Sequence, residues 1–255
     1  MSVTSGFADV SLLQLLLVAG IALFAAVVGG LAGYGTGALM PLVLVPMIGA
    51  EPVVPIIAIS SIFTNFGRAV AYFRYADRRR ALIVIAAAAL TTALGAFGYT
   101  RLSNSGAALV IGTMLISSVP LRRLLKRRDV RIGDGGLGVG AVGYGVVVGG
   151  TSGSGVILLS LLMAAGLEGA AVIATDAVIS MATSVIKISV FGLAGVVTAQ
   201  VIAFALLIGI VALPGAFLAK AFVERMPIRL HTAILDAAVI AGGGVMIFEA
   251  ARHLG

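Results

Sequence analysis

Residues 10–50 read VSLLQLLLVAGIALFAAVVGGLAGYGTGALMPLVLVPMIGA, without one charged side chain. A helix that spans a bilayer needs about 20 mostly apolar residues, so this run is long enough for two. It is interrupted at Gly29-Gly30 and at Gly33-Tyr34-Gly35-Thr36-Gly37. The reading is a full helix over about 10–31 followed by a short one over about 38–49. Inside a membrane every backbone N–H and C=O must be satisfied by the protein itself. A Gly-rich break at that depth is tolerated only where it is buried against protein or lines a watery cavity.

The rest of the chain extends this plan. Apolar stretches over about 52–73, 81–100 and 102–121 predict three further helices, the last two joined by a tight turn at Arg101-Leu102-Ser103-Asn104. A basic loop follows, with Arg122, Arg123, Lys126, Arg127, Arg128 and Arg131. An uncharged stretch over 135–167 is then broken at Gly149-Gly150-Thr151-Ser152-Gly153-Ser154-Gly155, and helices are expected at about 169–191, 196–219 and 231–250.

Composition supports the bilayer as solvent. Hydrophobic residues make up 60% of the 255 and charged ones 11%, against about 45–50% and about 25% in soluble domains. The net charge of +7 sits in loops, where it marks topology and not a nucleic-acid surface. There is no cysteine, and the two histidines, His231 and His253, are far apart. No disulfide, thiolate chemistry, metal site or cofactor is therefore expected. Trp is absent, so any aromatic belt falls to Tyr and Phe. The first basic residue is Arg68, so the opening apolar run reads as membrane domain and not as a secretory signal.

The second half repeats the first. Gly35 and Gly37 correspond to Gly153 and Gly155 at an offset of 118. Ser61, Thr64, Asn65 and Arg68 correspond to Ser180, Thr183, Ser184 and Lys187 at 119, and Gly95-Ala96-Phe97 to Gly215-Ala216-Phe217 at 120. Three matches in order at nearly constant offset point to two repeats, 1–128 with the basic loop and 129–255. If the short post-break segments cross, each half has an odd number of passes and the halves are inverted. Thirteen Lys and Arg then lie inside, including Arg74, Arg78–Arg80, the 122–131 set, Lys220, Arg225 and Arg229, and two, Arg101 and Arg252, lie outside. Parallel halves give eleven against four. The positive-inside rule favours inversion. The expected fold is an all-α polytopic membrane protein of two inverted pseudosymmetric repeats with Gly-broken helices.

Paired breaks in corresponding positions are the best sequence pointer to a transporter site. A helix that starts after such a break offers free N–H groups and the positive end of its dipole, which suits an anion. The competing reading is close helix packing through small residues. Candidate substrate contacts are Gly35, Thr36, Gly37, Ser152, Gly153, Ser154 and Gly155, with Thr151 as a further hydroxyl. Ser61, Thr64, Asn65 and Arg68 fall at i, i+3, i+4 and i+7, one helix face, as do Ser180, Thr183, Ser184 and Lys187. Such faces should point into the bundle. The alternative for Arg68 and Lys187 is that they reach back to the interface. Asp176 lies four residues before Ser180 on the same face. It reads either as a proton or cation site or as a structural partner of Lys187. Asp236, inside the last helix, is the second proton-coupling candidate.

The two breaks also resemble the sulfite exporter TauE/SafE family, the toluene-sulfonate uptake permeases. The first copy is Gly33-Tyr34-Gly35-Thr36-Gly37-Ala38-Leu39-Met40-Pro41 with Ala58-Ile59-Ser60-Ser61. The second is Gly153-Ser154-Gly155-Val156-Ile157-Leu158 with Ala174-Thr175-Asp176. The second copy departs from the pattern with Leu159 in place of a proline and Asp176 in place of a serine. The resemblance implies movement of sulfite, an organosulfonate or a related sulfur-containing anion across the bacterial inner membrane.

The expected function is a secondary transporter or permease for a small anion, working by alternating access with protons as coupling ion. A passive anion channel, a cation-coupled carrier using Asp176 and Asp236, and an accessory subunit without flux are the rival readings. Expected partners are the anion, the lipid bilayer, protons and a second copy of the chain, with no nucleic acid. No enzyme is expected. Gly33-x-Gly35-x-Gly37 lacks dinucleotide-binding spacing, no P-loop lysine follows either Gly run, and Gly153-Ser154-Gly155 is not a nucleophile elbow.

Overall fold

The computed structural model describes residues 6–7, 10–32, 35–127, 131–215, 218 and 228–252. Gly33, Tyr34, Arg128, Lys220, Arg225 and His253 lie outside these residues. So do the side chains at 28–32, 122–127 and 228–238, which include Arg229, His231 and Asp236.

Among the described residues the chain is helical throughout, without strands. The helices are α1 (Leu12–Ala32), α2 (Thr36–Ile48), α3 (Val53–Tyr72), α4 (Arg78–Tyr99), α5 (Asn104–Arg127), α6 (Asp134–Gly150), α7 (Gly155–Ala164), α8 (Ala170–Leu193), α9 (Ala199–Ala212) and α10 (Ile228–Arg252). A short 3-10 turn, Phe73–Tyr75, extends α3. Among the described residues four segments are long and apolar enough to cross a membrane: Val53–Tyr75, Arg78–Tyr99, Asn104–Leu121 and Ala170–Leu193. Their outward faces carry exposed Leu, Val and Phe, among them Leu82, Leu90 and Leu193, as expected where lipid replaces water.

Local chemistry sets the helix ends. Asp77 caps α4 by accepting from the Arg80 N–H at 3.0 Å, and Thr198 caps α9 by accepting from the Val201 N–H at 3.2 Å. α6 ends at Gly150 and α7 starts at Gly155. Gly153 between them has a φ of +83°, which glycine adopts without the Cβ clash other residues meet. One expectation needs correction: the helix over 196–219 stops at Ala212 and turns at Leu213 and Pro214. Pro214 has no N–H to give, and its ring crowds the carbonyl four residues earlier. Beyond it, Leu218 N–H donates to the Pro214 carbonyl at 3.0 Å.

Contacts between the segments before and after the basic loop come in matched pairs. α4 lies on α6 as α9 lies on α1, α4 on α8 as α9 on α3, and α5 on α7 as α10 on α2. α3 also meets α8, and α5 meets α10. Directions follow from which residues touch. Ser61 meets Ser184 and Arg68 meets Asp176, so α3 and α8 run antiparallel. Gly112 sits against Ile247 and Gly243 against Ile116, so α5 and α10 are antiparallel too. Gly145 faces Ala88 and Thr91 while Gly149 faces Thr92 and Ala96, which makes α4 and α6 parallel.

Small residues let these helices approach. A Cβ on Gly149 would lie 2.8 Å from the Ala96 nitrogen, and one on Gly95 would lie 2.9 Å from the Gly150 nitrogen. The far end of α2 is pinned to its own half. Tyr99 Oη donates to the Ala50 carbonyl at 2.6 Å, and Asn104 Oδ1 accepts from the Ala50 N–H. The central apolar core runs through Met40, Leu44, Ile56, Ile111, Leu115, Phe191, Phe204 and Ile208. A second core, with Leu137, Leu158, Leu162 and Ile179, lies under α6, α7 and α8.

Candidate functional site

A cavity of about 120 Å³ lies where the two Gly breaks converge. Its walls come from α1, α3, α6, α8 and α9, with residues 35–37 and 151–155 between them. Every substrate-contact candidate singled out above lines it: Gly35, Thr36, Gly37, Ser61, Thr64, Asn65, Arg68, Ser152, Gly153, Ser154, Gly155, Ser180, Thr183, Ser184 and Lys187. Asp176 lines it as well, whereas Asp236 lies outside the described side chains. The volume suits a few waters or one small polyatomic ion, since a water takes about 30 Å³ of liquid.

The helix starts are open. Gly35 precedes α2 and Ser154 precedes α7, and neither end has a side-chain cap. Among the described residues the first backbone bonds begin at Ala38 and Ile157. The earlier N–H groups of both helices, at Thr36, Gly37, Gly155 and Val156, thus have no intrahelical acceptor. The two breaks touch: Ser152 Oγ donates to the Gly37 carbonyl, and a Cβ on Gly37 would lie 3.2 Å from the Gly153 nitrogen.

The polar faces of α3 and α8 meet across the cavity. Ser61 and Ser184 hydroxyls are 2.6 Å apart. Thr64 donates to the Ser61 carbonyl and Thr183 to the Ser180 carbonyl, the same bond in corresponding places. These local bonds satisfy the hydroxyl protons and leave lone pairs free.

Among the described residues three charged side chains line the cavity, two cations and one carboxylate. Arg68 Nη1 lies 3.0 Å from Asp176 Oδ2, with side chains 12% and 1% exposed. Its other terminal nitrogen, Nη2, donates to Asn65 Oδ1. Lys187 is 5% exposed and donates to the Thr151 carbonyl at 3.4 Å. Lys187 has no ion-pair partner among the described residues. Neither cation reaches back to an interface, and Asp176 is not the partner of Lys187. Eleven helical residues separate those two by about 16 Å along the axis, beyond the span of their side chains. Asp176 is served by the neighbouring helix instead.

The sequence reading missed Tyr144. It is buried on α6 and lines the cavity close to Ser180 and Thr183. A signal existed: Gly143-Tyr144-Gly145 repeats the Gly33-Tyr34-Gly35 triplet of the first half. Glu51, Glu168 and Glu249 are exposed, as their positions near helix ends predict.

Membrane-length apolar helices around a charged cavity place the chain in the class of polytopic membrane proteins. The family profile for Sulfite exporter TauE/SafE matches residues 18–246, nearly the whole chain. The chain belongs to the sulfite exporter TauE/SafE family, a family of multi-pass membrane transport proteins. Comparison with curated proteins and with solved structures gave no match.

Proposed function

We propose that this protein is a secondary transporter that carries a small sulfur-containing anion, such as sulfite or an organosulfonate, across the bacterial inner membrane. One observation carries this reading: two helix N-termini without side-chain caps and two buried cations face a cavity that, among the described residues, holds one carboxylate. Free N–H groups and an excess of positive charge in a water-poor site favour an anion over a cation. Backbone N–H groups at the two breaks and the hydroxyls of Ser154 and Ser180 bind its oxygens, while Ser61, Ser152 and Ser184 spend their protons on protein acceptors. Arg68 and Lys187 balance its charge.

Alternating access supplies the movement. The antiparallel run of α3 against α8 and of α5 against α10 supports two inverted halves, which rock about the site. In that arrangement the N-terminus and Arg101 face outside, and the basic segments at 74–80 and 122–131 face the cytoplasm. Asp176 is the coupling group, taking a proton as the anion moves.

Proteoliposomes test the proposal. Sulfite uptake should saturate with concentration, respond to an imposed pH gradient and vanish in Lys187→Gln. Flux that rises linearly with sulfite and ignores the pH gradient would identify a passive channel. Absence of sulfite-dependent flux in active-looking, monodisperse protein would discard the anion assignment.

A further inference from the structure

The two cations of the cavity occupy corresponding places in the two halves, yet only one is neutralised. Arg68 faces Asp176 at 3.0 Å; Lys187 faces a backbone carbonyl at 3.4 Å. α3 contains no acidic residue, so the first half offers Lys187 no counterpart of Asp176. The carboxylate is an addition to one half only.

The pair is poorly built as a permanent strut. A buried ion pair recovers the cost of desolvation only when its remaining lone pairs are satisfied. Stable arginine–carboxylate pairs are typically bidentate. Here one guanidinium nitrogen approaches one oxygen, and the other terminal nitrogen is turned to Asn65. Neither Asp176 oxygen accepts a well-aligned hydrogen bond, although both are buried. Arg68 Nη1 likewise makes no aligned bond. A carboxylate held by one guanidinium nitrogen and a loosely placed Ser180 hydroxyl, on the wall of a cavity lined by helix N-termini, occupies a position that another oxyanion can fill better.

We infer that Asp176 is a tethered occupant of the anion site, held on Arg68 while the cavity is empty and displaced from it by the incoming substrate. This rests on reading the cavity as an anion site. Lys187, without a carboxylate, receives the anion first. Arg68 becomes available only when Asp176 is neutralised, so that anion and proton enter together. Charge balance sets this order. With Asp176 ionised the three groups sum to one positive charge; with Asp176 protonated they sum to two. The charged and titratable groups around Asp176 are Arg68 from α3, Tyr144 from α6 and Lys187 from its own helix. α7 carries none. Those of α4 lie at its start, where Asp77 pairs with Arg80 and its N–H bonds Thr175 Oγ1.

The occupant also answers a problem of leakage. An empty cavity with two bare cations would admit any anion of fitting size, including chloride. A built-in carboxylate raises the threshold, because a weakly interacting anion gains too little from the donors to displace it.

The test is sulfite affinity of the purified protein and of Asp176→Asn, measured by calorimetry at pH 8 and pH 5.5. Taking the ratio of the two affinities cancels the titration of the anion itself. The tethered occupant predicts that Asp176→Asn binds about tenfold or more tightly at pH 8 and that the advantage shrinks towards one at pH 5.5. Equal or weaker binding by Asp176→Asn at pH 8, with sulfite still bound by the unaltered protein, overturns the inference and leaves the anion site standing. No sulfite binding by either protein removes both. If Asp176→Asn does not fold, the infrared difference spectrum of the unaltered protein decides. Addition of sulfite should convert one carboxylate band to a protonated carboxyl band, and unchanged carboxylate bands refute the displacement.

Discussion

Arg68 and Lys187 stand at corresponding positions of two related segments, and the cavity between them treats them differently. Arg68 is clamped by Asn65 and Asp176, whereas Lys187 has only a distant carbonyl. The same sign of charge therefore does two kinds of work. At Lys187 the charge is unspent and available to a ligand. At Arg68 it is partly offset by the carboxylate of Asp176. The contrast is legible because the two cations differ in partners while the helices around them make matched pairs of contacts.

Charge removal should separate the two ends most strongly. Lys187→Gln is expected to lower sulfite transport at least 100-fold while leaving thermal stability unchanged or raised, since a buried ammonium without a carboxylate costs desolvation energy. Arg68→Gln should act in the opposite sense on stability. Breaking a buried pair by removing one partner costs about 3–5 kcal/mol, and thermal unfolding in detergent should fall accordingly. The double variant Arg68→Gln/Asp176→Asn should recover most of that loss without recovering transport. Equal destabilisation by Lys187→Gln and Arg68→Gln would erase the distinction between the two ends.

The next effect concerns the scaffold. Gly149→Ala places a methyl group among backbone atoms of α4, and overpacking of this kind costs about 1–3 kcal/mol. The corresponding change at Gly20, which faces open space, should be neutral in the same unfolding assay. The smallest effect is expected at the contact between the breaks. Ser152→Ala removes the bond to the Gly37 carbonyl, worth about 1 kcal/mol, and should lower the melting temperature only slightly. A loss as large as that of Arg68→Gln would show that the breaks, and not the ion pair, hold the halves together.

Much of the site was legible in the sequence because helical period does its work locally. Seven-residue spacing put Ser61 and Arg68 on one face and Ser180 and Lys187 on another, and the Gly runs marked where helices must start afresh. Which groups pair across helices was not legible. The partner of Asp176 depends on how α3 and α8 pass each other, and a 3.6-residue repeat carries no information about that offset. Tyr144 escaped notice because an isolated aromatic in a Gly/Val run gives no periodic signal of its own. The end of α9 was written in the chain at Pro214. Bilayer helices often carry prolines, as α2 does at Pro41 and Pro46, so the residue by itself did not dictate a stop.

The attachment of α2 has a mechanical corollary. Its outer end is fastened by two side chains of the same half, Tyr99 and Asn104, while its inner end bonds the other half through the Ser152 hydroxyl and its flank packs on α10. Breaking the Ser152 link costs about 1 kcal/mol, less than twice the thermal energy at room temperature. Any parting of the short helix from the other half would have to undo its packing on α10 as well.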